Sequence, residues 1–156
     1  MYACYNDHNR IVELLISCGV DKYDRNTVGH TPLMLAALNG NEKLLELVYE
    51  DYMINLRDQR GWSALFHAVS RRRENAVKFL LKRGADVNII ACDNGYTVLM
   101  VAAAAGKINV VKMLLEAGAN PYKMSWKGGT AISIAQSHGF FHIVQLLSAN
   151  TESCAV

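Results

Sequence analysis

The sequence predicts an all-α fold, a solenoid of stacked helix-turn-helix units joined by β-turn fingers. A glycine-led pattern occurs four times, as GHTPLMLAALNGN, GWSALFHAVSRRR, GYTVLMVAAAAGK and GGTAISIAQSHGF, beginning at Gly29, Gly61, Gly95 and Gly128. The copies recur with a period of about 33 residues. Each copy opens on a helix-capping residue and leads into a second helical pattern. One such helix pair cannot bury its apolar face alone, whereas stacked pairs can.

The first helix of each unit begins at a hydroxyl side chain that can cap it. Pro32 stands at the first helical position of the first complete unit, where its missing N–H costs nothing. Paired small residues, such as Ala36 and Ala37, allow this helix to lie close to its neighbours, and Asn39-Gly40 then ends it. The four capping residues are Thr31, Ser63, Thr97 and Thr130.

The second helix of each unit carries one apolar face. Val77, Leu80 and Leu81 recur at helical spacing in one copy, and similar residues follow in the next. Gly84 and Gly118 are placed for left-handed caps at the ends of these helices. A partial copy, ACYNDHNRIVELLISCGVD, opens the chain from Ala3. We therefore expect one domain over residues 1–150, with a partial repeat at 1–24, repeats at about 25–57, 58–91, 92–124 and 125–150, and a flexible tail at 151–156.

Composition bounds the protein's class. The 156 residues are 51% hydrophobic, enough for a substantial core in one domain. No segment approaches the roughly 20 apolar residues of a membrane-spanning helix, and no signal peptide opens the chain. The expected compartment is the cytoplasm, with the nucleus as the alternative. A net charge of +2, from 16 basic and 14 acidic residues, is too balanced for a dedicated nucleic-acid binder.

These segments closely resemble the ankyrin repeat, whose motifs are TPLHxA in the first helix and LLxxGADxN at the end of the second. TPLMLAA, LLKRGADVN and LLEAGANP occur here in the correct order and phase. Tyr52 stands where a capping glycine is expected, and Arg72 replaces the glycine between two helices, so both are expected irregular points. The motif histidine is absent from every copy, and packing is expected to substitute for its hydrogen bonds. Its replacements are Met34, Phe66, Met100 and Ser133.

The resemblance implies a protein-interaction module, an adaptor or scaffold segment of a larger protein. Ankyrin proteins bind partners in a concave groove formed by the finger tips and the exposed side of the first helix. We expect a monomeric stack without membrane insertion, which holds an extended peptide or helix with an acidic flank. Aromatic and arginine side chains at these positions are typical of interface hot spots. The predicted partner-binding residues are Arg60, Trp62, Arg71, Tyr96, Trp126, Lys127, His30 and His138.

Two other interpretations of these residues stay open. Trp62 and Tyr96, predicted to lie side by side as central anchors, can instead pack finger against finger. The basic run Arg71–Arg73 fits a solvated turn as well as it fits a contact with an acidic peptide. A nucleic-acid or nucleotide-binding module that uses the basic and aromatic groove residues is the alternative function.

The resemblance also implies that Asn88, in GADVN, is a candidate for asparagine hydroxylation.

No catalytic, cofactor or metal site is predicted. His138 and His142 have the spacing of a zinc pair, but Gly139 is expected to break the helix between them. His67 follows the motif position and is interpreted as bonding a neighbouring finger, as such histidines do in this family. The four cysteines lack a CxxC pair and are expected to be reduced thiols. They are Cys4, Cys18, Cys92 and Cys154.

Overall fold

The structure is a computed structural model that describes residues 1–152. It consists of two compact units, Met1–Asp86 and Val87–Val156. The fold is all-α, as predicted. The first unit contains α1 (Tyr2–Tyr5), α2 (Asn9–Ser17), α3 (Pro32–Asn39), α4 (Glu42–Val48), α5 (Ala64–Ser70) and α6 (Glu74–Lys82), and the second contains α7 (Val98–Ala104), α8 (Ile108–Glu116), α9 (Ala131–Ser137) and α10 (Phe141–Glu152). Within residues 1–152, no helix is long and apolar enough to cross a bilayer.

The predicted caps begin the first helix of each pair. The Thr31 hydroxyl accepts a hydrogen bond from the Met34 N–H at 3.3 Å, and the Ser63 hydroxyl accepts one from the Phe66 N–H at 3.4 Å. The cap residues of α7 and α9 make the same bond. Each bond satisfies an N–H that has no partner inside the helix, so the capping pattern marks the helix starts correctly.

Side chains of the first helices fill the core of each unit. In the first unit α3 packs against α4 and α5, and in the second α7 packs against α8 and α9. Met34, Phe66 and Met100 are fully buried, so packing does substitute for the family histidine at three positions. At Ser133 a hydrogen bond takes the place of the histidine. This residue is exposed, and its hydroxyl accepts a hydrogen bond from the Thr130 N–H at 2.9 Å.

The two predicted irregular points depart from the regular repeat. A short 3-10 helix, Asp51–Met53, takes the place of the capping glycine and leaves Tyr52 exposed. Arg72 has a φ of 60°, a left-handed conformation that the inter-helix glycine Gly40 adopts at 79°. A non-glycine residue in that region is strained. The turn between α5 and α6 therefore costs more conformational free energy than the turn between α3 and α4.

Both ends of the described chain extend the predicted helices. Residues 2–5 form one turn of a first helix, α1, which packs against α2 and α3. At the other end, α10 continues to Glu152 and so enters the tail that was expected at 151–156. The last four residues of the predicted tail, among them Cys154, lie outside the described residues.

Candidate functional site

The finger that precedes α5 is pinned by the carboxylate of Asp58. Its Oδ1 accepts hydrogen bonds from the backbone N–H groups of Arg60 at 2.8 Å and Trp62 at 2.9 Å. Asn26 does the same in the preceding finger, where its Oδ1 accepts from the His30 N–H at 2.8 Å. Side chains that bind the backbone in this way hold a turn in one conformation. The residues at the finger tips therefore stand on a fixed backbone.

The second oxygen of Asp58 contacts two histidines. Oδ2 lies 2.9 Å from Nε2 of His67 and 3.3 Å from Nε2 of His30. The side chains of Asp58 and His67 are only 1% and 6% exposed, whereas His30 is 21% exposed and lies at the edge of this histidine–carboxylate cluster. The sequence interpretation of His67 is corrected: it bonds the finger of its own repeat, and His30 of the neighbouring finger shares that carboxylate.

Burial sets the ionisation of His67. Desolvation lowers the pKa of His67 from its ordinary value, while the hydrogen bond and charge of Asp58 act in the opposite direction. His30 and Arg60 add a smaller positive potential that lowers the pKa of His67 further. Because removal from water dominates, the neutral imidazole is the favoured form of His67 near neutral pH.

The two faces of the Trp62 ring contact different groups, Phe66 on one face and Arg60 on the other. Its indole stacks on Phe66, with ring centroids 4.7 Å apart, and lies 5.3 Å from the His67 ring. The Arg60 guanidinium sits 3.9 Å above the indole. The Nε1 of Trp62 is buried and has no hydrogen-bond partner among the described residues. One face of Trp62 thus packs on Phe66 of α5, whereas the packing considered from the sequence was finger against finger.

An open apolar cleft adjoins this cluster at the start of the chain, and we call it the N-terminal cleft. The exposed side chains of Tyr2, Tyr5 and Val28 line it, and His30 connects it to the histidine–carboxylate cluster. The site prediction missed both tyrosines. A signal was present, because the buried small pair Ala3-Cys4 stands one repeat before Ala36-Ala37 and identifies α1 as a first helix. The full lining is Met1, Tyr2, Tyr5, Asn26, Val28, His30 and Leu35.

The arginines of the basic turn between α5 and α6 differ in their contacts. Arg73 has a structural contact, since its Nε donates a hydrogen bond to the Leu38 carbonyl at 3.2 Å and its side chain covers Gly40. Arg71 ends α5 and is exposed. Only part of this basic run is therefore a candidate for partner contact.

The second unit holds the remaining predicted finger residues. Tyr96 is half-buried, and its N–H donates to Oδ1 of Asn94 at 2.9 Å. Trp126 is 67% exposed and lies across Gly95, where an added Cβ would come within 2.6 Å of its ring. Lys127, beside it, is also exposed. The expected pairing of Tyr96 with Trp62 stays a prediction.

His138 lies away from these fingers, at the far end of α9. Its Nδ1 is 2.9 Å from the Ile134 carbonyl oxygen, and its ring is parallel to that of Phe140. Gly139, with a φ of 75°, separates it from α10, which carries His142. The helix break expected between the two histidines is confirmed.

The comparisons with known proteins agree with this architecture. The family model described as ankyrin repeats (3 copies) matches residues 1–91 and 86–155. The chain is 31% identical to the chicken nuclear factor NF-kappa-B p105 subunit over 146 residues, which is 89% of this chain. It is 30% identical to the Drosophila tyrosine-protein kinase Shark over 139 residues, which is 88% of this chain. It is 45% identical to rat ankyrin repeat and SAM domain-containing protein 6 over 74 residues, 46% of its length.

The chain matches only a small part of each of these relatives. It spans 15% of the length of the first two and 8% of the third. The family model covers nearly all of the chain, and the helix pairs, caps and fingers of both units follow the family's pattern. The chain belongs to the ankyrin repeat family.

Proposed function

We propose that this chain is an adaptor or scaffold segment of a larger protein and that its first unit binds an extended peptide of a partner. Ankyrin repeats are in general protein–protein interaction modules. The observation that carries the proposal is the arrangement of Arg60 over Trp62, which the rings of His67 and His30 connect to the N-terminal cleft. An apolar side chain of the peptide enters the cleft, and an acidic residue reaches Arg60.

Preorganisation supports this surface as a binding site. The finger backbone is held by Asp58, and the indole of Trp62 rests on the buried Phe66. A partner therefore does not have to immobilise these groups, which removes part of the entropic cost of association. Tyr2 and Tyr5 add large amphipathic side chains with few rotatable bonds.

The charge of this surface favours an acidic segment in the partner. Arg60 and Arg71 are exposed on the finger and at the end of α5 and carry two positive charges on this surface. A guanidinium that meets a carboxylate forms charge-assisted hydrogen bonds. Trp126 and Lys127 give the second unit a surface of similar chemistry for a further contact.

Affinity capture from the source cell, followed by titration of the captured partner, tests this function. Tyr5→Ala and Arg60→Glu should each weaken binding by about tenfold or more, as expected of interface anchors. Lys78→Glu, an equal charge reversal at an exposed position of α6, is the matched control and should bind like wild type.

The double variant Trp62→Ala, Tyr96→Ala should lose about 2 kcal/mol or more of binding free energy if both rings are hot spots. Lys112→Ala, on α8, is its control. Wild-type affinity in Tyr5→Ala and Arg60→Glu proteins of normal helicity would overturn the assigned surface. Capture of nucleic acid with a steep salt dependence would instead favour the alternative function.

A further inference from the structure

The histidine–carboxylate cluster is not required by the repeat itself. At the position of Asp58, two other fingers carry Asn26 and Ser125, and the finger of Gly95 carries Ala91, where Asn94 accepts the Tyr96 N–H instead. At the position of His67, the other first helices carry Leu35, Val101 and Ile134. The turn therefore needs an acceptor but no carboxylate, and the helix position takes an apolar side chain elsewhere. In this repeat a buried acid and a buried histidine lie 2.9 Å apart and are hydrogen-bonded to each other.

We propose that His30, Asp58 and His67 bind a divalent transition-metal ion of the zinc class through two imidazole Nε2 atoms and one carboxylate oxygen. These three ligand atoms all lie within 4.8 Å of one another. This site departs from the expectation, drawn from the sequence, that the chain has no metal site. The proposal rests on other observations than the peptide-binding function does, although Arg60 and the N-terminal cleft border both sites.

The separations between the ligand atoms fit a tetrahedral ion. Bonds of about 2.0 to 2.1 Å in tetrahedral geometry place ligand atoms about 3.3 Å apart. The two contacts of Asp58 Oδ2, at 2.9 and 3.3 Å, are close to that separation. The two imidazoles have to reach the same distance from each other, and His30, the most exposed of the three, is the side chain best able to turn.

The donor set matches zinc and its neighbours in the transition series. Imidazole nitrogen suits zinc, nickel and copper, and a single carboxylate completes sets of three protein ligands in zinc sites. Three protein ligands leave a fourth position for water or for a partner's side chain. The N-terminal cleft, which His30 also lines, gives that position a route to solvent.

The surroundings hold the ligands in place. Oδ1 of Asp58 is tied to two backbone N–H groups, so that Oδ2 is directed at the histidines. The His67 ring lies against Trp62 and edge-on to His30, with centroids 5.3 and 4.8 Å away. Fixed orientation of a carboxylate by further hydrogen bonds is typical of metal ligands.

The Arg60 guanidinium opposes the ion. It lies 3.9 Å above the Trp62 indole, whose ring centroid is 5.3 Å from that of His67, and its positive charge repels a bound dication. Because a glutamine at this position removes the charge, Arg60→Gln should bind the ion more tightly than wild type.

The test is a Co²⁺ titration of untagged, chelator-treated protein, followed by visible absorption, with Zn²⁺ as competitor. We expect one ion per chain, a spectrum of tetrahedral Co²⁺, and its loss on addition of Zn²⁺. His30→Gln, a change at the exposed edge of the cluster, should weaken binding at least tenfold while the helicity stays normal. His138→Gln removes a histidine outside the cluster and is the matched control.

A second measurement uses wild-type protein alone, so that it still tests the site if Asp58→Asn or His67→Gln disturbs folding. In wild-type protein Zn²⁺ should shift the imidazole NMR signals of His30 and His67 and leave those of His138 unchanged. Zn²⁺ should also raise the wild-type melting temperature, since a ligand of the folded state stabilises it. The absence of a bound ion, or equal binding by wild type and His30→Gln, would overturn the proposal.

Discussion

Two fingers of this protein, Asp58–Trp62 in the first unit and Ser125–Gly129 in the second, share a backbone turn and differ in chemistry. In both, the N–H of the turn glycine donates to the carbonyl of the first residue at 2.9 Å. The Ser125 hydroxyl accepts one N–H, from Gly129 at 3.1 Å, whereas Asp58 accepts two and uses its other oxygen to contact two histidines. The turn needs one acceptor, and the second carboxylate oxygen is free for tertiary contacts.

The layer beneath the two fingers differs in the same way. Trp62 rests on Phe66, which is fully buried, while the position of Phe66 is taken in α9 by the exposed Ser133. Trp126, in the last finger, is 67% exposed. The finger of Asp58 is therefore part of the core of its unit, whereas the last finger lies on the surface. Substitutions in each finger and in the layer beneath it should separate the two.

The largest difference is expected beneath the fingers. Phe66→Ala should lower the free energy of unfolding by about 3 to 5 kcal/mol, because it leaves a cavity under the indole of Trp62. Ser133→Ala removes one exposed capping interaction and should cost about 0.5 to 1 kcal/mol. Denaturant unfolding followed by circular dichroism measures both. Equal losses would contradict the contrast between the two fingers.

The second-largest difference in stability is expected at the side chains that accept the hydrogen bonds of the two turns, Asp58 and Ser125. Asp58→Ala should cost about 3 kcal/mol, since it strands two backbone N–H groups and two histidines that share a buried carboxylate. Ser125→Ala removes a single hydrogen bond and should cost about 1 kcal/mol. The same unfolding experiment applies, carried out with chelator so that no metal contributes. A loss in Asp58→Ala no greater than in Ser125→Ala would show that the histidine contacts add nothing.

The two tryptophans provide a smaller contrast. Trp62→Ala should cost about 2 kcal/mol, because a half-buried ring is lost from Phe66. Trp126→Ala should change stability by less than about 0.5 kcal/mol, as expected for an exposed side chain. Thermal melts of the two variants beside wild type decide the matter. A larger loss of stability in Trp126→Ala than in Trp62→Ala would contradict this contrast.

The smallest effect is a pH dependence confined to the cluster. Burial lowers the pKa of folded His67 below its ordinary 6.5, so that the unfolded chain takes up this proton more readily. The contribution of His67 to stability is therefore fully present above about pH 6.5 and declines as the pH falls below it, by at most about 1.4 kcal/mol per pH unit for one proton. His67→Gln should flatten this decline in metal-free buffer, whereas His138→Gln should preserve it.

Much of the architecture could be predicted from the sequence because each signal is local. The caps at Thr31 and Ser63 act within three residues, and the glycine turns depend on the conformation of one residue. The period of about 33 residues extends these local features into stacked helix pairs. The same period could also have identified Tyr2 and Tyr5, since α1 carries the small pair of a first helix.

The candidate site was predictable only in part. Arg60, Trp62 and His30 were selected by their register, yet the burial of one face of Trp62 depends on a bulky Phe66 beneath it. The cluster joins three different register positions, His30 of one repeat with Asp58 and His67 of the next. A repeat pattern compares equivalent positions and says nothing about side chains that meet across inequivalent ones.

By itself, the sequence determined the family, the helix pairs and the turn chemistry, because these depend on residues close in the chain and on a repeated apolar face. Only the tertiary structure decided which finger residues are buried, which are exposed, and that two histidines share one carboxylate. Those outcomes depend on how neighbouring repeats stack and on where side chains point across distances of a few ångströms, as between His30 and Asp58 at 3.3 Å. Such separations arise from packing in three dimensions, which the order of residues does not display.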